Sequence, residues 1–186
     1  LSNGLSGAEI AEKMLNDHGI HDVRIESVAG KLTDHYNPAN KTVNLSPEVY
    51  GGRSVSAAAV AAHEVGHAVQ HATGYKWLEM RSQLVPVAQL SGKIMNIVLW
   101  SMILGMSILK IFDMNTVIWV LIAAQAVITV VSVVTLPVEY DASNRALIWL
   151  TTSGTVTTSE HDKAKDALTW AARTYLVAAL ASLTQL

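Results

Sequence analysis

Ala57-Ala58-Ala59-Val60-Ala61-Ala62-His63-Glu64-Val65-Gly66-His67-Ala68-Val69-Gln70-His71 is the stretch whose reading decides this chain. Alanine dominates it and favours helix. On a helix, residues four apart lie on one face, one turn from each other. His63 and His67 have that spacing, so their imidazoles can grip one zinc ion from the same side. Glu64 follows the first histidine and can reach a water beside that ion. The alanines let such a helix pack tightly, and Gly66 is expected to leave room beside the metal. A helix with incidental histidines would leave a glutamate in the one useful slot unexplained.

The composition sets the surroundings of this motif. The chain has 186 residues, enough for one domain with a real core. Hydrophobic residues make up 51% and charged residues 15%, which leans toward the membrane class. A net charge of -2 gives no argument for a nucleic-acid partner. Cysteine is absent, so disulfides and thiolate ligands are excluded and a zinc ion would be held by histidine and carboxylate. The first residue is Leu1, not methionine, and no signal-peptide pattern follows it; a piece of a longer chain is expected.

Upstream of the motif, Ser6-Gly7-Ala8-Glu9 reads as a capping box, with Ile10, Met14 and Leu15 on one face and Gly19 as a stop. Val23 and Ile25 alternate with Arg24 and Glu26 as in a strand. Leu32-Thr33-Asp34-His35-Tyr36 extends that strand or forms a second one. Asn37-Pro38-Ala39-Asn40 is a turn, and Thr42-Val43-Asn44-Leu45 another short strand. Ser46-Pro47-Glu48 opens a short helix. Ser54 or Ser56 caps the motif helix, and Gly74 ends it.

Downstream lie two apolar runs. Ile94 to Phe112 holds one charge, Lys110, and Val117 to Leu136 holds none. Each has about the length that crosses a bilayer core of roughly 30 Å. Only Asp113-Met114-Asn115-Thr116 separates them, so a tight transmembrane helical hairpin is expected, with Lys110 snorkelling to the interface. Gln125, Thr129 and Ser132 share a face suited to packing on another helix. Lys76, Arg81 and Lys93 precede the hairpin and Arg145 follows it. The positive-inside bias therefore places the histidine side in the cytoplasm. The chain divides into residues 1–93, the first part of the domain that carries the motif; 94–136, the hairpin; and 137–186, the second part of that domain. Pro137 opens a new helix or kinks the old one. Thr151 to Ser159 reads as a polar loop and Ala164 to Gln185 as a last helix. That helix packs on the catalytic part or enters the membrane, a choice the pattern leaves open.

A catalytic zinc takes three protein ligands and keeps one position open. The candidates for the third are His71, Glu139, His35 and Asp141. His71 lies roughly 12 Å along the helix axis from His63, too far for one ion on an unbroken helix. A glycine turn that would bend the chain back is missing, since Gln70 occupies its place, and Thr73 stands where a third histidine would follow. Glu139 stands at the end of an apolar span, where a carboxylate is costly without a partner. A hairpin would return it to the surface that carries the motif. Asp141 and Ser143 are candidates to orient a ligand histidine.

Four runs together carry a resemblance: Leu32 to Tyr36, Asn44-Leu45-Ser46-Pro47-Glu48-Val49-Tyr50, Ala61 to Ala72, and Leu136-Pro137-Val138-Glu139-Tyr140-Asp141-Ala142-Ser143. They resemble the YugP-type neutral zinc metallopeptidases, small bacterial membrane proteins, along nearly the whole chain. Members of that family usually carry a further transmembrane helix at the N-terminus. The order of parts also resembles the HtpX-like membrane peptidases, in which an aspartate follows the ligand glutamate by four residues; Ser143 stands there in this chain. The resemblance implies an α+β, mostly helical fold, with a gluzincin-like zinc-protease core and a small sheet joined to the transmembrane hairpin. It also implies a place in the bacterial inner membrane, with several passes.

The expected activity is that of a zinc endopeptidase, with His63, His67 and Glu139 as ligands and Glu64 as the base. The oxyanion needs a donor beyond the metal. Tyr175, Arg173, His161 and His35 are candidates, and Tyr175 matches the resemblance best. An edge strand near Thr33 to Tyr36 would hold an extended protein or peptide substrate. The expected partners are that substrate and the lipid bilayer. One rival is a non-enzymatic membrane protein with a structural or metal-handling zinc site, which would recruit His35 or His71 as a fourth ligand. A second rival is a membrane hydrolase acting on a non-peptide amide or ester.

Overall fold

The motif helix lies at the centre of the architecture. The computed structural model describes residues 1–103 and 113–185. Helix α1 covers Gly7–Asp17, followed by strands β1 (Arg24–Ser27), β2 (His35–Asn37) and β3 (Thr42–Leu45) and a single-turn helix α2 (Pro47–Tyr50). The motif helix α3 is Val55–Ala72, and three long helices come after it: α4 (Lys76–Ile103), α5 (Met114–Thr152) and α6 (Thr158–Thr184). The result is mostly helical with one small sheet, as expected.

Local chemistry sets the ends of these elements. Ser6 and Glu9 form the expected capping box on α1. Ser54 caps α3, its hydroxyl accepting from the Ala57 amide at 3.1 Å. Gly74 follows the helix end with φ +62, a conformation that glycine adopts without a Cβ clash. Every α3 residue from Ala57 to Gln70 except Val60 is buried. The helix is enclosed by Ile10, Met14 and Leu15 of α1, Val43 and Leu45 of β3, Leu150 of α5 and Leu168 of α6. The sheet order is β1-β3-β2. β1 runs parallel to the fully buried β3, while β2 is antiparallel to it, with His35 opposite Asn44. β2 is therefore an edge strand.

The crossing of α3 and α5 determines the rest. A Cβ built on Gly66 would sit 2.7 Å from the carbonyl oxygen of Ala142. The space that glycine provides is filled by the backbone of α5, which corrects the expectation that it leaves room beside a metal. Ala142 and Ala146 continue the close contact and have no exposure.

α5 is 39 residues long and passes through Pro137 without a break. A proline inside a helix removes one backbone hydrogen bond. Here the turn is held by its packing: Val138 is fully buried, and its carbonyl also accepts from the Gln70 amide at 2.8 Å. α4 likewise runs through residues 93 and 94 uninterrupted. The last helix starts at Thr158, earlier than expected. Thr157 and Glu160 form a capping box inside the threonine-rich stretch that reads as loop.

Among the described residues, α5 is the one helix long and apolar enough to cross a membrane. The far end of the first apolar run, with Lys110 and its expected snorkelling, lies outside the described residues. Gln125 and Thr129 do face another helix, donating to the Ser182 carbonyl of α6 at 3.0 and 3.1 Å. Ser132 instead donates to Ile128 of its own helix. Large apolar side chains around this region, such as Trp100, Trp119 and Val177, are exposed.

Candidate metal and catalytic site

Because α3 and α5 touch at Gly66 and Ala142, the residue one turn before Ala142 faces the two motif histidines. That residue is Glu139, 1% exposed. Its Oε2 lies 3.2 Å from His63 Nε2 and 3.5 Å from His67 Nε2. The donor atoms of these three residues all fall within 4.8 Å of one another. Two imidazole nitrogens and a carboxylate oxygen, drawn together in a buried pocket, are a donor set suited to a catalytic zinc. The histidines hold the carboxylate in its charged form: burial raises its pKa, but bonds and charge from His63 and His67 outweigh this and hold it well below the usual carboxylate range.

The outer nitrogens are tied as well. Ser143 Oγ lies 3.1 Å from His63 Nδ1. His67 Nδ1 donates to Gln70 Oε1 at 3.0 Å. Gln70, with no exposure, donates in turn to the Val138 carbonyl and to Asp141 Oδ2, each at 2.8 Å. Arg145 donates to the same Asp141 oxygen at 2.6 Å. Both rings thus present Nε2 to Glu139. Of the two expected orienting residues, Ser143 acts directly and Asp141 acts through Gln70. On the other side of Glu139, Arg81 of α4 donates to Oε1 at 2.9 Å.

Glu64 is buried beside this cluster, and both Glu64 and Glu139 line a cleft of about 350 Å³. Burial, and secondarily the charge of Glu139, push the Glu64 carboxyl up to about 7, against a lowering by His63. Edge strand β2 contributes His35 and Tyr36 to the opposite wall, and Tyr175 of α6 joins them. Burial, then the charges of Glu139 and Glu64, push the Tyr175 phenol up to about 12, so it remains a proton donor at neutral pH. The other oxyanion candidates point elsewhere: Arg173 lies over the Trp170 ring and His161 beside Asp162. Among the described residues no further histidine or carboxylate joins the three donors. His71 is bonded to the Tyr36 hydroxyl at 2.7 Å, and His35 Nδ1 pairs with the Thr33 carbonyl.

The sequence matches, over residues 1–186, the family described as "Putative neutral zinc metallopeptidase". The chain belongs to this family. It is also 40% identical over 186 residues to the "Putative membrane protease YugP" of Bacillus subtilis (strain 168), an alignment covering 100% of this chain and 79% of the relative. No solved structure matches. Zinc is the metal of this family, and the His63, His67 and Glu139 donors fit it.

Two neighbours of the site escaped the sequence reading. Arg81 registers there only as a topogenic charge, since nothing local in sequence ties α4 to Glu139. Gln70 registers only as the residue that replaces a glycine turn. Its position three residues after His67, on the buried face of an otherwise apolar helix, is the signal that could have found it.

Proposed function

We propose that this chain is a membrane-embedded zinc endopeptidase acting on unfolded or membrane-proximal protein segments. The observation that carries this reading is the cleft: His67, Glu139 and Glu64 line it beside edge strand β2, with His63 completing the donor set and no fourth protein donor among the described residues. A structural zinc site would use a fourth protein ligand and would need no glutamate beside the first histidine.

In this reading His63, His67 and Glu139 hold the ion. When bound, zinc supplies a Lewis acid that acidifies the attacking water and polarises the scissile carbonyl. Glu64 takes the proton from that water and passes it to the leaving amine, so that it ends the cycle as it began. Tyr175 donates to the oxygen that gains charge as the carbonyl becomes tetrahedral. An extended segment pairs with β2 through its main chain, which favours unfolded substrates over particular sequences. The apolar α5 and the membrane-protease name of the Bacillus subtilis relative support a place in the bacterial inner membrane. The hairpin, the several passes and the cytoplasmic orientation rest on the apolar runs and the flanking positive charges.

The test is cleavage of an unfolded model protein in detergent, with zinc content read in parallel. Glu64→Gln is expected to lower cleavage by about 10²–10⁴-fold while zinc stays bound. Full activity in that variant would remove Glu64 as the base.

A further inference from the structure

The two motif histidines are tied to partners of different chemistry. Ser143, behind His63, is a hydroxyl that can donate or accept. Gln70, behind His67, has no such freedom. Its Nε2 end touches the Val138 carbonyl and the Asp141 carboxylate, and both of these can only accept. The NH₂ group must therefore point at them. Oε1 must then face His67, and only an N–H can meet it there. His67 so placed keeps a proton on Nδ1 in both its states: the protonated ring adds an Nε2–H that bonds Glu139, and the neutral ring offers the Nε2 lone pair to a metal ion.

We propose that Gln70 is a positioning residue that presets the tautomer of His67 for metal binding, with Asp141 and Arg145 fixing the orientation of its amide. This rests on His67 being a zinc ligand. Three features favour a preset over incidental core packing. Gln70 is fully buried with each end of its amide engaged. The Asp141 oxygen that receives its NH₂ is itself anchored by Arg145. The carbonyl it grips belongs to Val138, next in the chain to Glu139, so one side chain sets both a ligand's tautomer and the seat of the third donor. His63 has no equivalent, because a rotating hydroxyl adapts to either tautomer.

The experiment uses the full chain in detergent, with Gln70→Leu, Gln70→Glu and Asp141→Asn beside the native sequence. Two quantities are read. One is the His67 tautomer from nitrogen NMR of the zinc-free protein, at a pH where the ring is neutral. The other is zinc affinity by competition with a chelator. The native chain is expected to show the Nδ1–H form. Gln70→Leu should lose that preference and bind zinc about 10–100-fold more weakly. Gln70→Glu keeps an acceptor and should keep the tautomer. Asp141→Asn takes away one of the two fixed acceptors and leaves the Val138 carbonyl, so it should weaken the preference without abolishing it, and it serves as the test if Gln70→Leu does not fold. Unchanged tautomer and affinity in both Gln70→Leu and Asp141→Asn would overturn the proposal. So would a loss of affinity with the Nδ1–H form intact. Native protein that binds no zinc would remove the metal site itself, whereas the tautomer readout fails or succeeds without any metal present.

Discussion

α5 is one helix in two environments. From Val138 onward its inner face is closed by protein: Val138, Glu139, Ala142, Ala146 and Leu150 are buried to within 1%. Before Pro137 the same helix shows Ile118, Trp119, Val130 and Val133 at 45% exposure or more. Composition marks part of the difference, since Val117 to Leu136 has no charge while Glu139, Asp141 and Arg145 stand in the second half. Side-chain size marks the rest. Small residues at 142 and 146 let the backbones of α3 and α5 meet, and a buried carboxylate among polar partners fills the space beside them. The other half has large side chains, little protein against them, and two hydroxyl or amide donors holding α6. One half is specified by fit, the other by the medium that would surround it.

Breaking the close-fitting half should have the largest effect. Glu139→Ala removes one of three donors and leaves Arg81 without its partner, and zinc binding and cleavage are expected to be lost together. Metal content after gel filtration checks this; full zinc occupancy would exclude Glu139 as a ligand. Next comes Gly66→Ala. Its Cβ would meet the Ala142 carbonyl at 2.7 Å, so the helices must part. Overpacking of this kind costs about 1–3 kcal/mol, and Glu139 should draw away from the histidines with it. Denaturant unfolding together with zinc affinity reads both effects.

The open half should respond in the opposite sense. Trp119→Ser combined with Val133→Ser is expected to leave zinc affinity and cleavage in detergent within about twofold of native, because these side chains touch little protein. Vesicle flotation should show weaker retention in the bilayer. A loss of zinc in this double variant would mean the two halves are not separable. Gln125→Leu should cost less still, about 0.6 kcal/mol, the average for a helix–helix polar bond in lipid; thermal unfolding in detergent measures it.

The smallest effect concerns pH. Backbone and side-chain bonds at Thr157, then those from Ser2, hold the Glu160 carboxyl down at about 2. A carboxyl depressed by folding stabilises the fold above its ordinary value of 4.5, and the contribution fades as pH falls from there toward 2. Protection of the Ser2 amide against hydrogen exchange, taken relative to the intrinsic rate at each pH, should therefore fall in acid. Glu160→Gln should show the lowered protection already at neutral pH.

Much of this was legible beforehand because the signals are local. The capping box at Ser6, the proline opening α2, the alternation in β1 and the spacing of His63 and His67 each need only a few neighbouring residues. Glu139 was legible for a different reason: an isolated carboxylate in apolar sequence is expensive enough to demand a partner. What was missed is pairwise and distant. Arg81 and Glu139 meet only because α4 and α5 pack together. The purpose of Gly66 depends on a backbone that arrives 76 residues later in sequence, at Ala142. Pro137 was ambiguous because its consequence depends on whether the neighbours hold the helix straight. The start of α6 was hidden by composition, since a threonine-rich stretch and a threonine cap look alike until Glu160 is counted.

The division of the donor set has a consequence for synthesis. His63 and Glu139 are 76 residues apart in the chain. A growing polypeptide that has produced the motif helix holds two imidazoles and the base but no carboxylate donor. The third donor becomes available only after the apolar stretch has been made and α5 has docked on Gly66. Under the ligand assignment proposed for it, the protein gains its cutting power only once α5 has been made and has docked on the motif helix.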